Sequence, residues 1–548
     1  MPPRDSPLGA DWWREGVIYQ IYPRSFQDSN GDGIGDLRGI TSRLDHLNGR
    51  DDSLGIDGIW LSPFYPSPMA DFGYDVSEYC DVDPTFGTLE DFDALVAAAH
   101  ERDIRVIVDL VPNHTSDQHL WFIESRSGRK SPKRDWYVWA DPRPDGSPPN
   151  NWRSGFTKRQ VAAWTLDPAT GQYYLHSFLP EQPDLNWWNA DVRQAFDKIL
   201  RFWLDRGVDG FRIDVADRMA RDPELRDNPD YGLAEGESLR TWTDDNAPRN
   251  QDWPEVHEIL RGFRRTLDEY DARIAIGEVA VLDPRRLLRY YGEHDDELHL
   301  AFNFAFLEAP WSAAAFRDEV ATFEGLLSGS GWPDYTLSNH DTSRAVSRYA
   351  PGGDAARGRL RGRLAALMLL TLRGTPFIYY GEEIGMADAP ITPDRAVDVA
   401  GRDPARTPMQ WDASPSGGFT SGVAWLPVSP GSAAVNVAAQ RDDRRSMLSF
   451  YRTLLQRRRS SPALRRGSYR AIVGSPSNVF AYVREAAGEC WLVALNFGEE
   501  PAEVDLSDAP GWLRLSTDPD RPVDCTVEAP LVLEADEGVL VERWAANS

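Results

Sequence analysis

Eight short apolar segments, separated by amphipathic stretches, constrain most strongly what this chain can fold into. Helical patterns such as 89–102 and 190–206 lie between segments that have the length of buried β-strands. The predicted strands are GVIYQIYP (16–23), DGIWLSP (57–63), IRVIVDLV (104–111), GVDGFRIDV (207–215), RIAIGEV (273–279), HLAFNF (299–304), DYTLSNHD (334–341) and TPFIYYGEE (375–383). Parallel strands covered on both faces are continuously apolar. We therefore predict an α/β fold, a (β/α)8 TIM barrel with its helices outside.

Two departures from this alternation predict further domains. Residues 113–188 are far longer than a βα connection needs and are rich in Pro, Gly, Trp and Asp. From about residue 457 short strands and turns replace the helices, which is typical of an antiparallel β domain. The predicted division is 1–112 for the first part of the barrel, 113–188 for a small domain inserted after strand 3, 189–456 for the second part of the barrel, and 457–548 for the C-terminal β domain. The irregular stretch 385–440 should help the inserted domain cover the barrel mouth.

Composition limits the partners and the compartment. The 548 residues carry a net charge of −27, which argues against nucleic acid or an anionic membrane, because phosphate binding needs clustered positive charge. Three widely spaced cysteines (Cys80, Cys490, Cys525) form no disulfide framework or CxxC motif. The sequence shows no signal-peptide pattern and no apolar run of transmembrane length. We expect a cytoplasmic protein, a monomer or small homo-oligomer, without an organic cofactor.

Three acidic residues lie at the C-terminal ends of predicted strands. Asp214 is in GFRIDV, Glu278 in IAIGEV and Asp341 in TLSNHD. In a (β/α)8 barrel the active site is built at these strand ends. Any one of the acids could instead cap a helix. Three acids at one mouth, however, suit glycoside cleavage, in which one carboxylate attacks the sugar, one acid protonates the leaving oxygen and a third holds the distorted ring.

Several ordered motifs together resemble the α-amylase superfamily, glycoside hydrolase family 13, and within it the α-glucosidase and oligo-1,6-glucosidase branch. The motifs are DLVPNH (109–114), QPDLN (182–186), GFRIDV (210–215), GEV (277–279) and SNHD (338–341), and the resemblance covers roughly residues 12 to 545. It implies the three-part architecture described above. It also implies that Asp214 is the nucleophile, Glu278 the acid/base and Asp341 the carboxylate that holds sugar hydroxyls.

The resemblance further implies a sugar-binding set around the three acids. Tyr74 would be the stacking platform, and Asp75 would form with Arg402 a clamp on the terminal hydroxyls that closes the pocket. Arg212 lies two residues before Asp214, so both side chains leave the strand on the same side. It should pair with Asp214 and keep it ionised, whereas Glu278 must remain protonated. The implied substrate-binding residues are Tyr74, Asp75, His114, Phe178, Arg212, His340 and Arg402.

An acidic, glycine-rich stretch, DSNGDGIGD (28–36), carries oxygen donors at alternate positions, which suits Ca²⁺. It lacks the glutamate that ends an EF-hand loop, and a solvated acidic turn is the alternative. In the branch that the chain resembles, the matching loop binds one divalent ion, usually calcium, away from the catalytic centre. The implied ligands of this stabilising ion are the side chains of Asp28, Asn30, Asp32 and Asp36 and the carbonyl of Ile34.

Together these features favour a retaining, exo-acting α-glucosidase with small oligosaccharides as substrates. Maltose-like α-1,4 substrates are favoured, and isomaltose and sucrose stay open. Val215 often accompanies α-1,6 preference in this branch, but Ala216 and Asp217 are not its usual neighbours. The segment SGFTKRQVAAW (154–164) departs from the branch pattern, which leaves one pocket wall unassigned. The alternative on the same scaffold is a glucosyltransferase or a sucrose or maltose isomerase.

Two further classes are disfavoured. A non-catalytic binding or transport subunit would lack the catalytic acids, and all three are present here. An endo-acting amylase needs a cleft through which a chain can pass, which a closed pocket would prevent.

Overall fold

All eight predicted barrel strands form one parallel sheet. The computed structural model describes residues 9, 11–156, 161–232, 240–327, 331–505, 511–527 and 529–543. The strands are β1 (Ile18–Ile21), β2 (Gly58–Leu61), β3 (Arg105–Leu110), β4 (Trp139–Ala140), β5 (Trp164–Asp167), β6 (Gln172–Leu175), β7 (Gly210–Ile213), β8 (Ile274–Gly277), β9 (Leu300–Ala301), β10 (Asp334–Thr336), β11 (Thr375–Tyr379), β12 (Ser468–Ala471), β13 (Val479–Ala486), β14 (Glu489–Asn496), β15 (Ala502–Val504), β16 (Gly511–Ser516), β17 (Cys525–Val527), β18 (Leu531–Leu533) and β19 (Gly538–Arg543). The barrel sheet has the order β10-β11-β1-β2-β3-β7-β8-β9. The predicted (β/α)8 fold is confirmed, with β9 and β10 as the two edges of the near-closed sheet.

Amphipathic helices pack around this sheet. The α-helices are α1 (Trp12–Glu15), α2 (Pro23–Phe26), α3 (Leu37–Leu47), α4 (Leu89–His100), α5 (Leu120–Arg126), α6 (Ala190–Asp205), α7 (Val256–Leu267), α8 (Pro284–Leu287), α9 (Phe304–Leu307), α10 (Ala313–Leu326), α11 (Ala345–Arg348), α12 (Ala355–Thr371), α13 (Val437–Gln440), α14 (Met447–Ser460) and α15 (Pro462–Arg466). In α7 the buried residues Val256, Leu260, Phe263 and Leu267 follow the spacing of one helical face. None of the helices in the described part of the chain is long and apolar enough to span a bilayer.

The long connection between β3 and β7 forms a small unit at the barrel mouth. Its strands pair in the order β4-β6-β5, and both pairings are antiparallel. Bridges from His114 to Asp184 and from Tyr137 to Leu185 join the beginning of this segment to its end. The inserted unit therefore starts and finishes beside the barrel strand ends, which places its residues at the mouth.

An antiparallel sheet forms the C-terminal part of the chain. Its strands have the order β12-β13-β14-β19-β16-β17, and β15 pairs with β18. The sheet docks on the barrel at the C-terminal end of α12, where the buried Arg484 donates from Nη1 to the carbonyl of Thr371 at 2.5 Å. The buried Arg458 of α14 donates to the carbonyls of Leu370 and Gly374 at the same place. Both cations lie where the helix dipole is negative. The exact boundaries of the domains stay predictions.

Candidate active site

The three predicted catalytic acids line a single cavity of about 460 Å³. Asp214 directly follows β7, and Glu278 directly follows β8. Asp341 lies in the loop after β10, where its backbone N–H donates to the side chain of Asn339 at 2.9 Å. The apolar strand residues are buried in the barrel, so the first polar residue after each strand emerges at the mouth.

Arg212 joins two of these acids beneath the cavity floor. Its side chain is buried, and Nη1 lies 2.7 Å from Oδ1 of Asp214 while Nη2 lies 2.7 Å from Oε2 of Glu278. Nη1 also donates to Asp109 Oδ1 at 2.8 Å. The backbone N–H of Val215 donates to the same Glu278 Oε2 at 3.0 Å. One guanidinium thus fixes two carboxylates that face the same cavity.

This sharing changes the ionisation that the sequence suggested for Asp214. Burial raises the pKa of Asp214 well above its usual range, the contact with Arg212 opposes that rise, and the charges of Glu278 and Asp109 add to it. Burial likewise raises the pKa of Asp109 to about 6. The predicted contact is present, but Asp214 shares the single guanidinium with Glu278 and Asp109, so Arg212 does not bring the pKa of Asp214 below its usual range as the sequence suggested.

Asp341 is held in the opposite state. Its Oδ1 accepts from Nη1 of Arg402 at 3.1 Å and from Nη2 of Arg406 at 2.9 Å. Burial opposes ionisation, but the guanidinium groups of Arg402 and Arg406 outweigh it and lower the pKa of Asp341 below its usual range. A permanent carboxylate, with a third of its side chain open to the cavity, suits a group that accepts hydrogen bonds from sugar hydroxyls.

His340 lies behind Tyr74 and carries no charge at neutral pH. Burial lowers the pKa of His340 to about 3. Gln20 Nε2 lies 2.8 Å from its Nδ1, and an amide nitrogen only donates, so the ring proton is on Nε2. That nitrogen lies 2.6 Å from the Tyr74 hydroxyl and 3.3 Å from Asp341 Oδ2, and the His340 and Tyr74 rings stack 5.4 Å apart. His340 therefore supports the tyrosine platform from below.

The predicted clamp between Asp75 and Arg402 is wrong in one partner. Asp75 is fully buried, and its carboxylate accepts from Ser67 Oγ and from the backbone N–H groups of Ala70 and Asp71, each at 2.9 Å. Asp71 instead lines the cavity, and its Oδ1 lies 2.5 Å from Arg402 Nη2. The reason is the tight turn before Tyr74. The Asp75 side chain holds this turn together from within, and the Asp71 side chain points into the cavity.

The remaining predicted residues are divided between the cavity wall and the layer behind it. Tyr74, His114, Phe178 and Arg402 line the cavity, whereas Arg212 and His340 lie behind it. The His114 ring lies 5.4 Å from Phe178, and its Nε2 lies 3.0 Å from the carbonyl of Tyr74. The resulting pocket combines aromatic faces with carboxylates and one arginine, which is the chemistry that a pyranose ring requires.

Comparisons with known proteins agree with this geometry. The model of the alpha-amylase catalytic domain matches residues 20–467. The chain belongs to the α-amylase family. It is 45% identical over 513 residues to a probable alpha-glucosidase of Rhizobium meliloti, covering 90% of this chain and 91% of the relative. It is 39% identical over 538 residues to an oligo-1,6-glucosidase of Parageobacillus thermoglucosidasius, covering 91% and 92%. The predicted family, and with it a glycoside hydrolase, is confirmed.

A solved structure extends the similarity to the whole fold. The crystal structure of an alpha-glucosyl transfer enzyme, XgtA, superposes with a TM-score of 0.89 at 42% sequence identity. The alignment covers 97% of this chain and 99% of that one. The barrel, the inserted unit and the C-terminal sheet therefore form one shared architecture within this family.

Besides Asp71, the sequence pointed neither to Gln182 nor to Asp388 as a site residue. Gln182 lies behind the wall, and its Nε2 lies 3.1 Å from Asp71 Oδ2 and 3.0 Å from His114 Nε2, so it fixes both wall residues. Its signal was available, because it begins the quoted motif QPDLN. Asp388 lines the cavity from the loop after β11, and no motif pointed to it. In the unassigned wall segment, Gly155 and Phe156 line the cavity, while residues 157–160 lie outside the described residues.

The predicted calcium loop holds its shape through its own hydrogen bonds. Asp28 accepts from the backbone N–H groups of Asn30, Gly31 and Gly33, and from Thr420. Asn30 and Asp32 each accept the N–H two residues ahead at 2.8 Å. Across the described residues, no three His, Cys, Asp or Glu side chains are grouped to hold a metal ion. The oxygen donors suit Ca²⁺ in kind, but most of the Asp28 acceptor capacity is already used within the loop.

Proposed function

We propose that this chain is a retaining, exo-acting α-glucosidase that releases α-glucose from the non-reducing ends of short α-glucosides. The observation that carries the proposal is the pair Asp214 and Glu278, held on one guanidinium beside a pocket. Retaining enzymes need their two carboxylates only about 5–5.5 Å apart, so that one can attack the sugar that the other protonates. Contacts of 2.7 Å from both acids to the terminal nitrogens of one guanidinium hold the two carboxyl groups close together, as this mechanism requires.

In the first half of the reaction, a carboxylate oxygen of Asp214 attacks the anomeric carbon and forms a covalent ester. The bond from that carbon to the leaving oxygen breaks, and Glu278 donates its proton to that oxygen. Glu278 Oε2 already accepts from Arg212 and Val215, so the proton to be transferred belongs on Oε1.

In the second half, the Glu278 carboxylate removes a proton from water, and the resulting hydroxide oxygen attacks the anomeric carbon. The ester bond to Asp214 breaks and its carboxylate is restored, while Glu278 regains the proton. Two inversions at one carbon leave the product with the α-configuration of the substrate.

Exo-action follows from the clamp at the closed end of the pocket. Arg402 Nη2 lies 2.5 Å from Asp71 and 2.7 Å from Asp398, and Nη1 lies 3.1 Å from Asp341. Three carboxylates around one guanidinium make a rigid barrier, which would receive the terminal hydroxyls of a single glucose unit. We propose that maltose-like α-1,4 substrates are preferred, and that isomaltose and sucrose are used more slowly.

The deciding experiment is a chromatographic product analysis with maltose, isomaltose, sucrose and maltotriose in separate reactions. Free α-glucose as the first product, with the anomer identified by NMR, supports the proposal. Free β-glucose would contradict retention. Glu278→Gln should lower kcat by about 10²–10⁴-fold, with Glu293→Gln on the exposed surface as the matched control. An active Glu278→Gln variant would contradict the acid/base role.

A second candidate is α-glucosyl transfer on the same scaffold, with sucrose or maltose isomerisation as its intramolecular form. The observation that favours it is the similarity to the alpha-glucosyl transfer enzyme. A sugar hydroxyl would then replace water in the second half of the reaction. New disaccharides with little free glucose in the same product analysis would identify this activity.

We further propose that the 28–36 loop binds Ca²⁺ with a structural role. The support is the alternation of Asp28, Asn30 and Asp32, whose oxygen donors match the preference of this cation. The loop lies apart from the cavity-lining residues, so the ion would supply stability and take no part in the chemistry.

A further inference from the structure

Asp388 lines the cavity but takes no part in the proposed two-step reaction. Six Asp, Glu or Arg side chains line the cavity, and five of them form the catalytic acids and the clamp. The sixth is Asp388, which lies with Thr342 and Ser343 on the cavity wall. A carboxylate exposed to a substrate pocket is costly to desolvate unless a ligand bonds to it. We therefore expect a group of the bound ligand to form a hydrogen bond with the Asp388 carboxylate.

Hydrogen bonds fix the Asp388 carboxylate in place, but no cationic side chain of the described residues pairs with it. Oδ1 accepts from the backbone N–H of Arg344 at 2.9 Å, and Oδ2 accepts from Ser343 Oγ at 2.5 Å. Its own backbone N–H donates to Ser347 Oγ at 2.8 Å. Among the described residues it has no ion pair with an arginine, lysine or histidine within 4 Å. An ionised carboxylate offers about four acceptor positions, so two remain for hydroxyl donors.

Asp388 is not a member of the clamp, since the described carboxylates that pair with Arg402 are those of Asp71, Asp341 and Asp398. Asp388 is tied to the Ser343–Arg344 edge of the cavity, whereas the terminal glucose belongs between Tyr74 and the Asp71–Arg402 pair. The sugar beyond the scissile bond must occupy the remaining part of the same cavity. That sugar is the leaving group in hydrolysis and the attacking hydroxyl compound in transfer.

We propose that Asp388 binds the hydroxyl groups of the sugar on the leaving-group side, and thereby selects neutral, hydroxyl-rich leaving groups and acceptors over apolar ones. This inference rests on the proposed α-glucosidase function. In transfer, the acceptor hydroxyl gives its proton to Glu278 and its oxygen forms the new bond to the anomeric carbon, while Asp214 departs as a carboxylate. Asp388 touches only the other hydroxyls, so it is a specificity residue and takes no proton.

The test compares Asp388→Asn with wild type on maltose and on p-nitrophenyl α-glucoside, whose leaving group has no sugar hydroxyls. The ratio of kcat/KM for maltose to kcat/KM for the aryl glucoside should fall about tenfold, since a hydrogen bond to a charged group is lost only with maltose. Inhibition by added glucose should weaken in parallel. Asp394→Asn, an exposed acid in the same loop, is the matched control and should leave the ratio unchanged.

Three outcomes would overturn the inference. They are an unchanged ratio, an equal fall with both substrates, and a ratio that falls as far in the Asp394 control. If the Asp388→Asn variant does not fold, the ratio is measured instead with Asp388→Ser, which keeps a small polar side chain. Wild-type enzyme that cleaves neither substrate would instead contradict the proposed α-glucosidase function, so the two failures are distinguishable.

Discussion

At the residue scale, Val215, directly after the proposed nucleophile, has a strained backbone. Its backbone has φ 36° and ψ 52°, which is a left-handed conformation that a β-branched residue strongly disfavours. The same residue donates its N–H to Glu278 at 3.0 Å, and the next residue, Ala216, donates to the Glu278 carbonyl at 2.8 Å. The strain is thus associated with two hydrogen bonds that position the acid/base.

The corrected clamp gives a prediction that separates two neighbouring aspartates. Asp71→Asn should lower kcat/KM for maltose by about 10–100-fold with little change in melting temperature, because it removes one charge from the Arg402 clamp. Asp75→Ala should instead lower the melting temperature, because it leaves Ser67 Oγ and the N–H groups of Ala70 and Asp71 without their acceptor. Thermal melts and maltose kinetics on both variants measure this. A lower melting temperature for Asp71→Asn with normal kinetics would reverse the assignment.

The two aspartates also show what the sequence could and could not predict at this scale. Asp214 and Glu278 were predictable, because a polar residue that ends a buried apolar run emerges at the barrel mouth. Asp71 was not, since the resemblance assigned the clamp to Asp75, and only the path of the loop shows which acid of DFGYD lines the cavity. Asp388 was not predictable for a similar reason, because its loop has no periodic pattern.

At the scale of elements, β10 begins with a buried acid that makes the stability of the barrel fall as the pH rises from about 4 to about 8. Asp334 is fully buried at the edge strand, and burial raises its pKa to about 8, against about 4 in an unfolded chain. The folded state therefore holds a proton that the unfolded chain has released. The stability that comes with this proton is complete below about pH 4 and is lost as the pH rises to about 8, by at most about 1.4 kcal/mol per pH unit.

Asp334→Asn should remove this dependence, because the amide is neutral at every pH. Its melting temperature should exceed that of the wild type by a margin that widens between pH 6 and pH 8.5. Asp318→Asn, on the exposed face of α10, is the control. Parallel melting curves for wild type and variant across that range would contradict the argument.

The 28–36 loop provides the second prediction for an element. If it binds Ca²⁺ only when folded, chelation should lower the melting temperature by several degrees, while activity at moderate temperature should change little. Asp32→Asn should abolish the effect of the chelator, because Asp32 is the exposed ligand whose oxygens are least used by the loop. Asp51→Asn is the surface control. Equal melting temperatures in calcium and in chelator would indicate a turn held by hydrogen bonds alone.

At the scale of the whole molecule, the order of elements was predictable and their docking was not. Each of the eight apolar runs contains a barrel strand, because a strand that is buried on both faces is apolar along nearly its whole length. The contact between the C-terminal sheet and the barrel leaves no such signal. Its polar part includes Arg458 and Arg484, and a sequence gives no sign that these two arginines are buried against the carbonyls at the end of α12.

That contact predicts how the parts of the molecule unfold. Arg484 donates to the carbonyls of Thr371, Gly467 and Ser468, so it ties the end of α12 to the first strand of the C-terminal sheet. Arg484→Met keeps the bulk of the side chain but removes the buried hydrogen bonds to Thr371 and Gly467, and an unpaired buried acceptor costs about 1–3 kcal/mol. Calorimetry should therefore show a lower melting temperature, and a C-terminal transition that separates from that of the barrel. Arg470→Met, an exposed neighbour on β12, should keep the wild-type profile. A single unshifted transition in Arg484→Met would mean that apolar packing alone couples the two parts.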